Sequence, residues 1–425
     1  MFRLRFKFDL QNNGIHSQEF KIFFETLVNK PSSLSSDHVR NYFATKKAQV
    51  NKKSIAVCVL LLSLLPSVSY AIEKYQTQNG PIIVESFAEG LESPWGFDFL
   101  HDGRILVTEK PGNLRLVGRN GQKSDPILGT PQVDYIGQGG LLDVLLHPNF
   151  QINRFVFLTF TKKSPNKGMY TSVVRGKLSK DYRALKDIRI IFSQTPKVGS
   201  GRHFGSRIIV APDGNLFVTL GDLGNRYLAQ NLNGHVGKVV RITIDGGIPK
   251  DNPFVRHSSA HPEIWSYGHR NIQGADIHPR TGKLWTIEHG PRGGDELNIP
   301  AAASNYGWPL VSHGVEYSGH PVGDGKKFMK GVVPPLRTWT PVIAPGGMVF
   351  YNENLFPAWK GNLLIGGLRA GAIVRLTLNG ESVESEERLL QQIGNRIRDV
   401  DVGPDGAVYA LDETDGRILR ISPAK

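Results

Sequence analysis

The chain has 425 residues, 40% of them hydrophobic and 21% charged, with 47 glycines, 26 prolines and a formal net charge of +13. That turn-rich composition, with ample apolar surface for a core, excludes a disordered chain and a coiled coil. A single cysteine excludes a disulfide scaffold and a polythiolate metal centre.

In chain order, the first expected element lies at residues 50–71. Asn51-Lys52-Lys53-Ser54 is followed by an apolar run from Ile55 to Leu65, then Pro66 and Ser69-Tyr70-Ala71. A basic start, a short apolar stretch and a small-x-small ending are the parts of a secretory signal peptide. The run is shorter than the roughly 20 residues a membrane span needs, and its basic flank argues against a buried core helix. Residues 50–71 are therefore expected to direct the chain to the periplasm, with no membrane span after cleavage. Residues 1–49 are expected to be an extension from a start placed too early, and residues 72–425 the working domain. Beyond Ala71 there are 41 Lys/Arg against 34 Asp/Glu, a net of +7, with no basic run interleaved with aromatics, so no nucleic-acid partner is expected. Cys58 lies within the apolar run, so the exported chain would carry no thiol.

One phrase then recurs: a short apolar strand, a tight turn and a second strand rich in β-branched residues. The clearest copies turn at Pro212-Asp213-Gly214 and Pro404-Asp405-Gly406; looser ones turn at Asp102-Gly103, Pro148-Asn149, Arg280-Thr281-Gly282 and Lys360-Gly361. Turn residues between alternating apolar positions read as β-hairpins. Six of them, about 45 to 80 residues apart, match blade spacing. The expected fold is all-β, a six-bladed β-propeller. A sandwich gives no reason for six related phrases, whereas blades bury their faces only against one another.

Polar clusters fall at one phase of this repeat. Before the hairpins stand Trp95-Gly96, Gly137-Gln138-Gly139-Gly140, Arg202-His203-Phe204-Gly205, His269-Arg270-Asn271, Pro345-Gly346-Gly347 and Arg396-Ile397-Arg398. After the second strands come Glu109, Asp222, Glu288-His289-Gly290, Arg369 and Asp412-Glu413. Equivalent positions in equivalent blades ring one end of the central axis. Arg270, Arg369, Arg396 and Arg398 in that ring point to a polyanionic ligand held by forked hydrogen bonds, or else each pairs with a carboxylate of its own blade. His203, followed by Asp222, suits a general base whose tautomer a carboxylate fixes. The segment Glu288–Asn298 combines hard oxygen ligands with glycine and proline that expose carbonyls, which is calcium-like chemistry without EF-hand spacing; a plain solvated loop is the alternative.

Gly137-Gln138-Gly139-Gly140-Leu141, His203 with Gly221-Asp222, Gly268-His269-Arg270-Asn271, Glu288 to Asn298 followed by Asn305-Tyr306-Gly307-Trp308-Pro309, and Arg396-Ile397-Arg398-Asp399 together resemble the soluble PQQ-dependent glucose and aldose sugar dehydrogenases, the glucose/sorbosone dehydrogenase family. The likeness runs from about Pro94 to the C-terminus, and the motifs are specific in this order. The resemblance implies that His203 takes the proton of an aldose's anomeric hydroxyl, with Asp222 orienting it and Gln138 touching the sugar. It implies that Arg270 stabilises charge on the quinone with Asn271 beside it, and that Arg369, Arg396 and Arg398 bind the carboxylates of pyrroloquinoline quinone (PQQ). The carbonyls of Gly290 and Pro291 would hold a calcium ion, and Asp295, Glu296 and Tyr306 resemble a second, structural calcium site. Electrons would pass to an external acceptor. Arginine at 369, where glucose-specific relatives have lysine, places the chain nearer the broader aldose branch.

Two other functions fit a six-bladed propeller: a calcium-dependent lactonase-like hydrolase, and a binding propeller without activity. The first needs a carboxylate-rich metal centre on the axis, whereas arginines dominate the ring. The second sits poorly with His203, Asp222, Arg270 and the calcium-like loop occurring together.

Overall fold

The computed structural model describes residues 73–165 and 168–424. The expected signal at 50–71, the extension at 1–49 and Cys58 lie outside the described residues. The described residues belong to one compact unit.

Strands β1 (Glu73–Thr77) and β2 (Gly80–Ala88) come first but join the last sheet. Blade 1 is β3 (Pro94–Phe99), β4 (Ile105–Glu109) and β5 (Asn113–Val117); blade 2 is β6 (Leu141–Leu146), β7 (Phe155–Lys163), β8 (Met169–Leu178) and β9 (Leu185–Ser193). Blade 3 is β10 (Gly205–Val210), β11 (Leu216–Leu220), β12 (Lys238–Ile242) and β13 (Ile264–Tyr267). Blade 4 is β14 (Ile272–Ile277), β15 (Leu284–Glu288), β16 (Asp295–Asn298) and β17 (Arg337–Trp339). Blade 5 is β18 (Pro345–Phe350), β19 (Leu363–Gly367), β20 (Ala372–Asn379) and β21 (Ser382–Leu389). Blade 6 orders β22 (Ile397–Val402), β23 (Val408–Asp412) and β24 (Arg417–Pro423), then β2 and β1. The protein is a six-bladed β-propeller, and the antiparallel pairing of β2 with β24 closes the ring across the chain's two ends. All six turns expected from sequence join the first two strands of a blade; a short helix α1 (Phe150–Asn153) extends the one at Pro148-Asn149.

The second strands explain why the blades must stack. Successive side chains of a strand face opposite ways, and here both faces are covered. In β4, Ile105 and Val107 pack toward blade 6 while Leu106 packs toward blade 2. In β11, Leu216, Val218 and Leu220 pack against blade 2 and Phe217 against blade 4. In β23, Val408 and Ala410 face blade 5, and Tyr409 and Leu411 face blade 1. Strands buried on both faces read as continuous apolar runs rather than alternating ones, as Ile105-Leu106-Val107 and Leu363-Leu364-Ile365 do.

Toward the axis, each innermost strand carries a register shift at the same place, between Pro94/Phe97, Leu141/Val144, Gly205/Ile208, Ile272/Gly274, Pro345/Met348 and Ile397/Asp399. A bulge re-aims the side chains it contains, and six in register turn one end of the ring inward. In and below the bulges, aspartates tie blade to blade. Asp98 accepts the Leu146 N–H at 2.6 Å, Asp143 that of Ile208 at 2.9 Å, and Asp276 that of Phe350 at 2.8 Å. Arg207 bridges Asp143 and Asp399 at 2.8 Å each, its guanidinium 4.3 Å from the Trp95 ring centroid.

Candidate active site

At the bulged end of the axis lies a pocket of about 580 Å³, part of it open to solvent. Its lining includes Trp95, Gln138, Asn271, Gln273, His289, Arg396, Arg398 and Glu413. Trp95, Gln273 and Arg398 sit within bulges, so the irregular backbone is what presents them to the pocket.

His203 precedes β10 and adopts φ of 57°, a left-handed conformation uncommon for a residue with a side chain. Gly221, at the end of β11, makes that backbone path possible, because a Cβ there would collide with the His203 carbonyl. The His203 N–H donates to Gln138 Oε1 at 2.8 Å. His203 Nδ1 lies 2.7 Å from Asp222 Oδ1, and the Gly224 N–H donates to the same oxygen at 2.7 Å. Asp222 Oδ2 accepts from Trp308 Nε1 at 2.8 Å. Burial opposes ionisation of Asp222, but its bonds with His203 and Gly224 and the charge of Arg270 hold its carboxyl below the usual range. Burial pushes the His203 imidazole down, against the Asp222 hydrogen bond, with Arg270 and Arg202 adding to the fall. A carboxylate can only accept, so the proton sits on Nδ1 and Nε2 keeps a lone pair near neutral pH.

The four arginines are not equivalent. Arg398 donates to Gln273 Oε1 at 3.2 Å and Glu413 Oε2 at 3.0 Å; Arg396 Nε reaches the same oxygen at 3.2 Å, and Lys110 Nζ reaches Glu413 Oε1 at 3.2 Å. Burial raises the Glu413 carboxyl, yet Arg398, Lys110 and Arg396 together hold it at about 2. Two of the four arginines thus share a carboxylate of their own blade. Three cations on one carboxylate still leave positive charge at the pocket. Arg270 donates to the His289 carbonyl at 3.0 Å and makes no salt bridge to a carboxylate among the described residues. The Nε groups of Arg270 and Arg398 are buried without a hydrogen-bond partner among the described residues. Arg369 follows Leu368 of the pocket wall but is exposed and does not line the pocket. Asn271 Oδ1 accepts from the Gly205 N–H at 3.1 Å and Gln273 Nε2 at 3.2 Å, locking two blades together.

The loop from Glu288 to Asn298 is braced rather than loose. Asp295 accepts the N–H groups of Gly290 at 2.9 Å and Ala344 at 2.8 Å, while burial lifts its carboxyl to about 6. The carbonyls of Gly290 and Pro291 accept no hydrogen bond among the described residues. Burial and the neighbouring Glu288 push the Glu296 carboxyl well up. Glu288 accepts from His269 Nδ1 at 3.0 Å, and Asn298 donates to Glu288 at 3.2 Å and Glu296 at 3.3 Å, leaving Asn298 Oδ1 buried and without a partner among the described residues. The Tyr306 hydroxyl is already committed, donating to the Ile299 carbonyl at 2.5 Å and accepting from the Ala301 N–H at 2.9 Å. Free carbonyls, crowded carboxylates and an unpartnered amide oxygen fit a hard cation such as calcium. The unpartnered guanidinium groups beside the pocket fit a polycarboxylate.

Sequence reading missed Lys110, Gln273 and the hydrogen bond of Trp308. Gln273 carries a weak signal, two residues past Asn271; Lys110 and Trp308 reach the site only through the tertiary fold. Elsewhere, ligand atoms of His235, His261 and Glu263 all lie within 4.8 Å of one another. The Thr195 N–H donates to His235 Nδ1 at 3.2 Å, so the ring proton sits on Nε2, 3.5 Å from Glu263. That is a hydrogen-bonded cluster, not an open metal site.

The family model described as glucose/sorbosone dehydrogenase matches residues 91–420. The aldose sugar dehydrogenase YliI of Escherichia coli is 43% identical over 343 residues, covering 80% of this chain and 92% of that protein. The crystal structure of the soluble aldose sugar dehydrogenase Asd from Escherichia coli, in its apo form, matches with a TM-score of 0.78 at 42% identity, over 81% of this chain and all of that one. The PQQ-bound aldose sugar dehydrogenase from Streptomyces coelicolor matches with a TM-score of 0.68 at 26% identity, over 83% of this chain and 99% of that one. The family-model match over residues 91–420 and the 43% identity over 92% of the YliI protein leave one assignment: this chain belongs to the glucose/sorbosone dehydrogenase family.

Proposed function

We propose that the chain is an exported, PQQ-dependent aldose dehydrogenase that oxidises the anomeric hydroxyl of a sugar to the lactone and passes the electrons to an external acceptor. One observation carries the reading: a part-buried His203, backed by the buried Asp222 and with Nε2 free among the described residues, stands beside a cationic pocket, in a chain of this family with a PQQ-bound relative. When bound, PQQ supplies the two-electron acceptor and calcium polarises it. The chain's own groups do the rest. His203 Nε2 takes the hydroxyl proton as C1 gives up hydride, and Asp222 stabilises the imidazolium that forms. Arg270 faces the developing negative charge, with Asn271 beside it. Arg396 and Arg398 would hold carboxylates of the cofactor, with Arg369 outside the pocket wall, and Gln138, fixed by the His203 backbone, borders the sugar. The carbonyls of Gly290 and Pro291 would hold the calcium next to PQQ, in the loop that Asp295 braces, and Asp295, Glu296 and the backbone of Tyr306 would form the second calcium site. A lactonase-like hydrolase needs a metal-binding carboxylate cluster at the pocket, where Lys110, Arg396 and Arg398 stand instead. The segment at 50–71 supports a periplasmic location.

The test is a purified, cofactor-free protein supplied with PQQ, calcium, an aldose and an electron-accepting dye. Dye reduction is expected only when PQQ, calcium and sugar are all present, and to be lost on chelation of calcium and restored by its return; lactone release without PQQ would favour the hydrolase. Because His203 must be neutral to take a proton and its folded pKa lies below the usual 6.5, kcat/KM should be flat above that pH and fall only at lower pH. An acid limb above pH 7 would remove His203 from the role of base.

A further inference from the structure

Trp308 lies on the long connection between β16 and β17, in blade 4, whereas Asp222 belongs to blade 3. Its indole touches both halves of the proposed chemistry. The ring edge donates from Nε1 to Asp222 Oδ2 at 2.8 Å, opposite the oxygen that faces His203. The ring face lies under the Arg270 guanidinium, 5.3 Å from centroid to carbon, and Arg270 Nε has no hydrogen-bond partner there. The guanidinium of Arg226 is also 5.3 Å from the same ring, and Arg226 forms an ion pair with Glu316 of the same connection. Backbone bonds fix the indole: the Trp308 N–H donates to the Gly268 carbonyl at 2.9 Å, and Gln230 Nε2 donates to the Trp308 carbonyl at 2.8 Å. Gln230 and Asn305 exchange two further bonds at 3.0 and 2.8 Å. Trp308 is only 6% exposed, so its N–H bond to Asp222 is shielded from solvent, and a cation over an indole face is favourable when desolvated.

We infer that Trp308 is a positioning residue for the dehydrogenase reaction, holding Asp222, and through it His203, by its N–H, and holding Arg270 by its ring face. The inference rests on the proposed roles of His203 and Arg270. The N–H withdraws charge from the Asp222 carboxylate and fixes its rotation; Asp222 in turn fixes the His203 tautomer. The connection between β16 and β17 is thereby part of the catalytic geometry rather than a peripheral loop.

Trp308→Phe keeps the ring face and deletes the N–H, which separates the two contacts. The first readout is the His203 ring titration followed by NMR in the cofactor-free protein, which does not depend on PQQ chemistry. The midpoint is expected to rise in Trp308→Phe, because more charge is left on the Asp222 oxygen facing Nδ1. An unchanged or lowered midpoint overturns the proposal. With PQQ, calcium and sugar, kcat should fall about 10-fold or more with KM within twofold, and adding Trp308→Phe to Asp222→Asn should cost nothing further. Full multiplication of the two losses would also overturn it, since the indole would then act independently of Asp222. If Trp308→Phe does not fold, Asp222→Asn serves: the Trp308 indole N–H resonance should move upfield and exchange faster, and an unmoved resonance counts against the proposal. If no variant or parent reduces dye, the activity assignment fails while the titration still decides the role of Trp308.

Discussion

His203→Ala is expected to lower kcat for an aldose by about 10³-fold, the scale of a lost general base, while PQQ binding is kept. The geometry supports so large an effect because no second base stands ready. His289 is the other imidazole at the pocket, but its Nε2 donates to the Pro345 carbonyl at 2.7 Å, and burial, with help from Arg270 and Arg398, pushes it down to about 3. Asp222 is buried and faces the His203 ring, not the pocket space. PQQ binding should survive because Arg396, Arg398 and Lys110 are untouched by the change. Measured by dye reduction and by PQQ titration in parallel, a loss below 10-fold would mean another group takes the proton. A loss of PQQ binding would mean His203 supports the pocket instead.

Arg207→Met is expected to destabilise the folded protein by about 3–5 kcal/mol, because it strands two buried carboxylates. Asp143 and Asp399 both lose their cation, and their present bonds to Arg207 show what compensates them. Even with Arg207 in place, burial lifts Asp143 to about 6, and below it Asp98 and Asp276 are lifted to about 7 and 6 from an ordinary 3.8. A carboxyl raised in the folded state contributes stability below its unfolded pKa and loses it as pH rises through the folded value. The variant should therefore lose most between about pH 4 and 7, more steeply than the parent. Urea unfolding at pH 5 and pH 7.5 measures this; equal losses at both would show that packing, not charge, is what Arg207 provides.

The amino-acid sequence by itself determined the six hairpins. Turn residues such as Pro212-Asp213-Gly214 and Pro404-Asp405-Gly406 act locally, and six copies of one unit can only bury their faces by closing on each other, so blade number follows from repetition. The phase of the polar clusters also follows, because a repeat places equivalent residues at equivalent heights: His203, Asp222, Gln138 and Arg398 meet at one end of the ring. What only the tertiary structure decided is how those residues are partnered. The bulge in each innermost strand, which turns Trp95, Gln273 and Arg398 inward, has no shared residue signature, because glycine, arginine and apolar residues all occur at it. That Arg396 and Arg398 converge on Glu413, that Arg369 stays outside the pocket wall, and that Trp308 of one blade closes on Asp222 of another depend on distances between separate segments, from 15 residues apart for Arg398 and Glu413 to 86 for Asp222 and Trp308. Local chemistry writes the hairpin; side-chain pairing across blades exists only once the ring has closed.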